Sequence, residues 1–433
     1  MLKGAKFHLW AQDRYRMASL WECAFRRRQN AAAFFPERNQ PDRRSIAMKP
    51  FYRSSALFSL ALAAVATVSL AAAAGAQTPV EIGGEKLVTL SRTATSKTKP
   101  EFTSVTVLPG RGMEVLYIKA NFPGKGEVNV LASPDLAIVK KLFDVRDDAN
   151  GDMGYHFGAA MLCPYPNRIF GKVAPDGKTL TTSWKGRTVT LPANDGGRLP
   201  GARRDAMHGL ILKAKATDIH VSKIPGGEEV SGVIHDAFKG RWFAKTDLHI
   251  TISLTADAID VVNVAKNVGT HSEPMAIGWH PYLNIPSGDR AQVRVHMPGT
   301  MRALGNKVDR SLPTGKLVPV TGTQYDFLAP NGAPLDHHHY DDNWSHLEWK
   351  NGAVTVRVID PKSDYGVEVQ GLSPEIKTIQ MYSPLKAKFV AVEDQYNFVD
   401  PFGKEWHGMK TGMVTLKPGQ STKWHVRVRV FVP

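Results

Sequence analysis

Cysteine is scarce in this chain: its 433 residues include 2, Cys23 and Cys163. Cys23 lies in a leading segment that the mature protein is expected to lack, so Cys163 stands alone. An intrachain disulfide is thereby excluded from the mature chain, and with it the small stapled folds of many secreted domains. A single cysteine can be a nucleophile, but Cys163 sits in an apolar run and reads as a buried, inert thiol. Long amphipathic helices are also missing, the stretch 135–145 being the nearest candidate. There is no repeat of solenoid period, which excludes stacked arrays. There is no phosphate-cradling glycine loop, which argues against a phosphorylated substrate.

A nucleic-acid groove is excluded on similar grounds. The formal net charge of +15 suggests a polyanionic partner only until it is divided along the chain. More than half of the excess sits in the first 76 residues, which hold 12 Lys and Arg against 4 Asp and Glu. The rest is dispersed, with no basic run interleaved with aromatics.

The leading segment explains that imbalance. Met48, Lys49 and Arg53 precede an alanine- and leucine-rich run that ends in Ala74-Gly75-Ala76, the form of a secretory signal peptide. Residues 48–76 are therefore read as a signal peptide, and 1–47 as an upstream extension with Met48 as the true start. No cysteine follows the run, so a lipid anchor is not indicated. The run approaches spanning length, which leaves an uncleaved membrane anchor as the alternative, but its alanine content and small-residue exit favour cleavage, which leaves no stable membrane association. The expected location is outside the cytoplasm, in the periplasm of a host with an outer membrane.

What remains is rich in strand signals. With 42% hydrophobic and 9% aromatic residues the chain can bury a large core. After a Thr-, Ser- and Lys-rich tail or edge element (77–104), short β-branched or alternating segments recur, parted by Gly, Pro and Asp: 113–120, 128–132, 179–184 and 188–191. Segments 248–254 and 259–264 flank a turn at Asp257 and predict an antiparallel hairpin. Further strands are expected at 291–297, 354–359, 366–370, 377–382 and 389–392, and Trp424, Val426, Val428 and Val430 alternate with polar residues in a closing strand. No linker divides residues 105–433, so one large all-β antiparallel domain is expected.

Several polar residues interrupt these apolar runs. His280 stands in Gly278-Trp279-His280-Pro281-Tyr282, where rigid backbone would hold an imidazole ready to exchange protons. Asn167 and Arg168 follow Pro164-Tyr165-Pro166, His208 precedes Gly209, Asp341 begins Asp341-Asp342-Asn343-Trp344, and Glu393 follows Val390-Ala391-Val392. These positions read as strand ends or tight turns. Singly, each has an ordinary structural explanation: a core histidine, a capped turn, a surface ion pair. Together, two imidazoles, a guanidinium and two carboxylates can hold a polyhydroxylated substrate and move protons both ways. Trp279, Tyr282 and Trp344 are candidates to stack on such a substrate, although aromatics of this kind are more often core. The run His337-His338-His339 lacks the fixed geometry of a metal site.

The order and flanks of these residues resemble the aldose 1-epimerase family, also called galactose mutarotases. Tyr155-His156-Phe157-Gly158-Ala159 leading into Pro166-Asn167-Arg168-Ile169 is similar to that family's first signature; the His-Gly, the His-Pro-Tyr-Leu-Asn strand, the Tyr-Asp-x-Asn-aromatic turn and the Glu-x-Gln follow in family order over residues 105–432. The resemblance implies a galactose mutarotase-like β-supersandwich whose metal-free, cofactor-free site interconverts the α and β anomers of a free aldose. It implies Glu393 as base, His280 as the acid that protonates the ring oxygen, and His208 as a second catalytic histidine. Arg168 and Asp341 would hold the sugar, and Asn167 would shape the turn. Two departures stand out: Asp394 occupies a position where many members have proline, and Asp342 adjoins Asp341. The competing reading is a sugar-binding or sensing protein that keeps the cleft without catalysis.

Overall fold

Alternation dictates the architecture. In Thr246–Leu254 the residues Leu248, Ile250, Ile252 and Leu254 are buried while Asp247, His249, Thr251 and Ser253 face outward, the period-two pattern of a strand with one dry face. Its partner Ile259–Asn267 runs antiparallel, from Leu254 opposite Ile259 to Thr246 opposite Asn267, which makes the expected hairpin. The computed structural model describes residues 80–144, 148–197, 202–307, 309 and 311–433. The segments read as extension (1–47) and signal peptide (48–76) lie outside the described residues.

Among the described residues, two large antiparallel sheets dominate, one of nine strands and one of eleven. The nine-stranded sheet centres on Ile259–Asn267, Ser421–Phe431 and Tyr365–Gly371. The eleven-stranded sheet runs through Gly299–Gly305, Tyr340–Leu347, Thr378–Ser383, Phe389–Gln395, Gly278–Asn284, Ala159–Leu162, Glu114–Phe122 and Glu101–Leu108, ending at Val88–Ser91. One continuous core joins them: Ile250, Val261, Trp424 and Val428 from the first sheet meet Val105, Ile118, Ile379 and Val392 from the second. Burying each such side chain contributes about 1.5–3 kcal/mol. The protein is thus an all-β supersandwich, as expected.

Several local expectations change. Val88–Ser91 pairs along Glu101–Leu108, so of the two readings of 77–104, tail or edge element, the sheet's edge strand is the one present there, and residue 105 falls inside a strand and not at a boundary. Residues 291–297 are not one strand: Arg290–Gln292 form a 3-10 turn before the short strand Arg294–His296. The segment from Tyr340 is not a turn either; Tyr340–Leu347 is a strand paired with Thr378–Ser383. The nearest helix candidate, 135–145, does contain a short helix, Leu136–Phe143, which buries Val139 and Phe143. No helix of the described residues is long and apolar enough to cross a membrane.

Trp279 and Trp344 do not stand ready for a sugar. Both are fully buried in the shared core, their indole N–H groups donating to the carbonyls of Ala159 and Tyr325. Each sits one residue from a polar neighbour, His280 or Asn343, and alternation sends the two to opposite faces of the sheet.

Candidate active site

That alternation also assembles the site on the face of the eleven-stranded sheet turned away from the core. Asn343 lies opposite Gln380, and Gln380 opposite Glu393. On the next strand Tyr282 pairs with Ala391 and Gly278 with Gln395, which brings His280 level with Glu393, and His280 in turn lies opposite Ala160. A polar row therefore crosses neighbouring strands. Gly278 makes room for its cover: a Cβ there would come within 2.8 Å of Pro166 Cβ, so the Pro166-Asn167 loop can lie against the His280 strand only because residue 278 has no side chain.

The remaining residues arrive from the loops. Arg168–Ile169 pairs with Arg204–Met207, setting Met207 opposite Arg168. Just beyond that pairing, Asn167 (φ 59°) and His208 (φ 62°) both adopt the left-handed conformation, and the His208 N–H donates to the Asn167 carbonyl at 2.9 Å. Left-handed backbone is unfavourable for a non-glycine residue, and this mutual bond helps hold both turns. Gly209 (φ 81°) must be glycine, since a Cβ would approach the Cys163 carbonyl oxygen to 2.3 Å. Cys163 itself is buried, its thiol 3.6 Å from the Met275 sulfur.

The expected site residues converge. His280 Nε2 lies 3.2 Å from Glu393 Oε1, and one donor atom from each of His208, His280 and Glu393 falls within 4.8 Å of the others. The two imidazoles meet edge to face with centroids 5.0 Å apart. Tyr155 packs against His208, and Tyr282 stacks on His280 at 4.8 Å while donating its hydroxyl to the Tyr155 carbonyl. Tyr282, the third stacking candidate, is thus a buried support for the histidine. Arg168 lies 3.5 Å from Asp341 and 3.8 Å from Asp195. Asp342 turns instead to Arg302, at 2.6 Å.

Two glutamines complete the network. Gln380 spends both ends of its amide: Oε1 accepts from Asn167 Nδ2 at 3.0 Å, and Nε2 donates to Asp341 Oδ1 at 2.7 Å. Asn167 Oδ1 also accepts from the Arg168 guanidinium at 3.2 Å, so this side chain ties the turn to both neighbours. Gln395 Nε2 donates to Glu393 Oε2 at 2.7 Å and orients the carboxyl. Sequence reasoning missed Gln380, whose only signal is a polar residue between Ile379 and Met381 inside an apolar strand. A cavity of about 280 Å³ opens beside this network, lined by Arg168, Asp341, Gln380, Asn343, Arg302 and Lys307 among others.

Burial governs the electrostatics. It pushes the Glu393 carboxyl well above the ordinary carboxylate range, with Asp341 adding to the effect and Gln395 and Arg168 opposing it. It depresses His280 to about 3, helped by His156 and Arg168, and holds His208 well below the usual histidine value, helped by His280, Arg168 and His156. At Arg168 burial works against the charge, but Asp341, Asp205, Asp195 and Glu393 outweigh it and keep the guanidinium firmly protonated. The His280–Glu393 pair therefore favours its neutral form, with the carboxyl protonated and the imidazole free.

Fold and site together define a galactose mutarotase-like supersandwich with a buried imidazole–carboxyl pair beside a polar cleft. The family model described as aldose 1-epimerase matches residues 139–429. The chain belongs to the aldose 1-epimerase family. Solved structures agree on the fold: a galactose mutarotase-like protein of Clostridium acetobutylicum aligns over 82% of this chain and 97% of its own at 20% identity and TM-score 0.63. A GalM/aldose epimerase homologue from C. elegans aligns over 79% and 98% at 17% identity and TM-score 0.57. A putative aldose 1-epimerase of Escherichia coli K12 covers 79% and 99% at 16% identity and TM-score 0.55. No curated protein sequence matches the chain.

Proposed function

We propose that this protein is an exported aldose 1-epimerase that interconverts the α and β anomers of a free sugar outside the cytoplasm. The observation that carries the reading is the 3.2 Å contact between two buried side chains, His280 Nε2 and Glu393 Oε1, beside a cleft lined by Arg168, Asp341 and Gln380. Ring opening removes the proton from the anomeric hydroxyl and delivers one to the ring oxygen. Glu393 as carboxylate takes the first, and His280 as imidazolium gives the second. The C1 aldehyde then rotates, and the same two groups return their protons on closing.

Both oxygens are bonded to the anomeric carbon, so acid and base can work from one edge of the sugar and need not stand on opposite sides of the ring. The ion-pair form of His280–Glu393 starts the reaction, and the neutral form accompanies the open-chain aldehyde. The two forms differ by one proton moved across the contact. Arg168, with Asp341 and Gln380, supplies donors and acceptors for the sugar's remaining hydroxyls, while His208 lies beside the reacting oxygens. Export rests on the form of residues 48–76 alone.

The test is a polarimetric time course of freshly dissolved α-D-glucose and α-D-galactose with and without the purified protein. Faster decay to the same equilibrium rotation is expected. Sugar binding without any acceleration, across a panel of aldoses, would instead support a carbohydrate-binding role.

A further inference from the structure

The same cluster has the makings of a second ligand site, and we infer that His208, His280 and Glu393 bind a divalent transition cation, zinc in particular, and that metal and sugar exclude one another. The metal clause stands on geometry; only the exclusion clause rests on the proposed function. Zinc takes imidazole nitrogen and carboxylate oxygen at about 2.0–2.2 Å in tetrahedral array, which sets neighbouring donors roughly 3.3 Å apart. One edge of that tetrahedron is already present, since His280 Nε2 and Glu393 Oε1 are separated by 3.2 Å. The third donor, on His208, lies within 4.8 Å of both. Closing it needs a shift on the order of 1 Å.

Carboxyls gather round the site, since Asp341, Asp205, Asp195 and Glu393 all act on the buried Arg168 guanidinium. Burial and Arg168 oppose added charge on both imidazoles, and a bound metal has to displace the proton that burial keeps on Glu393. Three protein ligands leave a fourth position open to water. Two imidazoles in the set select transition ions over magnesium and calcium, which take oxygen ligands. The Nδ1 atoms of His208 and His280 are buried without hydrogen-bond partners. The supporting bonds that usually sharpen a metal site are therefore missing, and their absence typically lowers affinity by about 10–100-fold. The expected site is one that metal occupies reversibly, and not a permanent structural centre. Because the metal would take the very atoms that exchange protons with the sugar, occupancy switches anomer exchange off.

The test is a cobalt(II) titration of the full-length protein, prepared without a histidine tag and followed by visible absorption. One equivalent is expected to produce the intense bands of a four-coordinate centre. Zinc should abolish them and magnesium should not, and a saturating sugar that the protein turns over should weaken cobalt binding several-fold. His208→Ala and Glu393→Gln should each weaken it at least tenfold, with His208→Gln as a more conservative check should the alanine variant fold poorly. Replacing His337, His338 and His339 together by alanine should leave the bands intact. Bands lost in that triple variant, or unchanged in His208→Ala and His208→Gln, would overturn the metal site. If no sugar is turned over, the enzyme reading fails while the cobalt bands still decide the metal clause. Cobalt binding that such a sugar leaves unchanged would overturn the exclusion alone.

Discussion

His280 Nε2 and Glu393 Oε1 are in direct contact at 3.2 Å, each held from behind: the imidazole is stacked by Tyr282 and the carboxyl fixed by Gln395. The strands that carry them are neighbours, so the distance is set by sheet register and does not depend on a mobile loop. Acid and base held to this tolerance on rigid elements are what paired proton transfer requires.

Removing the proposed base should therefore be severe and selective. Glu393→Gln keeps the shape and the bond with Gln395 but cannot accept the anomeric proton. Anomer exchange should fall by roughly 100- to 10,000-fold, while sugar affinity, measured by equilibrium titration, changes only a few-fold. Wild-type rates in the variant would remove Glu393 from the reaction.

The pH dependence follows from the directions of the shifts. His280 is depressed to about 3 and Glu393 is raised, both mainly by burial. Between those limits the pair carries one proton, which is the form that can act. The kcat/KM for anomer exchange should hence be flat from about pH 5 to 7, with no inflection at the ordinary histidine value near 6.5. A sigmoidal loss of activity centred there would mean that a solvated histidine, not His280, is the acid.

How far the site was legible in the sequence depends on the kind of signal. His280 and Glu393 interrupt apolar runs, and His208-Gly209 and Asn167-Arg168 mark special backbone, so their types and flanks stand out in one dimension. Alternation exposed the hairpin and the closing strand for the same reason. Gln380 carries no local mark, because its role comes from bonding to Asn167 and Asp341, 213 and 39 residues away. In sequence the Tyr340 strand reads as a turn, since Asp341-Asp342-Asn343 is turn-like in composition; pairing to Thr378–Ser383 and burial of Trp344 override that preference. Trp279 and Trp344 were ambiguous until register assigned them a face.

Gln380 offers a test of the network. In Gln380→Leu the Asn167 amide and the Asp341 carboxylate each lose a partner, and the sugar loses two pre-positioned neighbours. KM should rise about tenfold or more, equivalent to ~1.4 kcal/mol, with kcat less affected because the His280–Glu393 contact is untouched. Steady-state polarimetry separates the two. A fall confined to kcat would assign Gln380 to the proton transfer instead.

Asp394 follows Glu393 in sequence but faces the opposite side of the strand, into the core, where neither carboxyl oxygen has a hydrogen-bond partner. Burial raises it from an ordinary value of 3.8 to about 8. The folded protein therefore keeps this proton across a range in which the unfolded chain has released it. Stability must fall as pH rises from about 4 to 8, by up to ~1.4 kcal/mol per pH unit for this group. Glu273, raised to about 7, and Asp400, raised to about 8, act in the same direction. Asp394→Asn preserves the shape and cannot ionise, so its Tm should decline less steeply than wild type between pH 5 and 8, the variant gaining most at pH 8. Parallel Tm curves would show that Asp394 finds a compensating charge or water in the folded state.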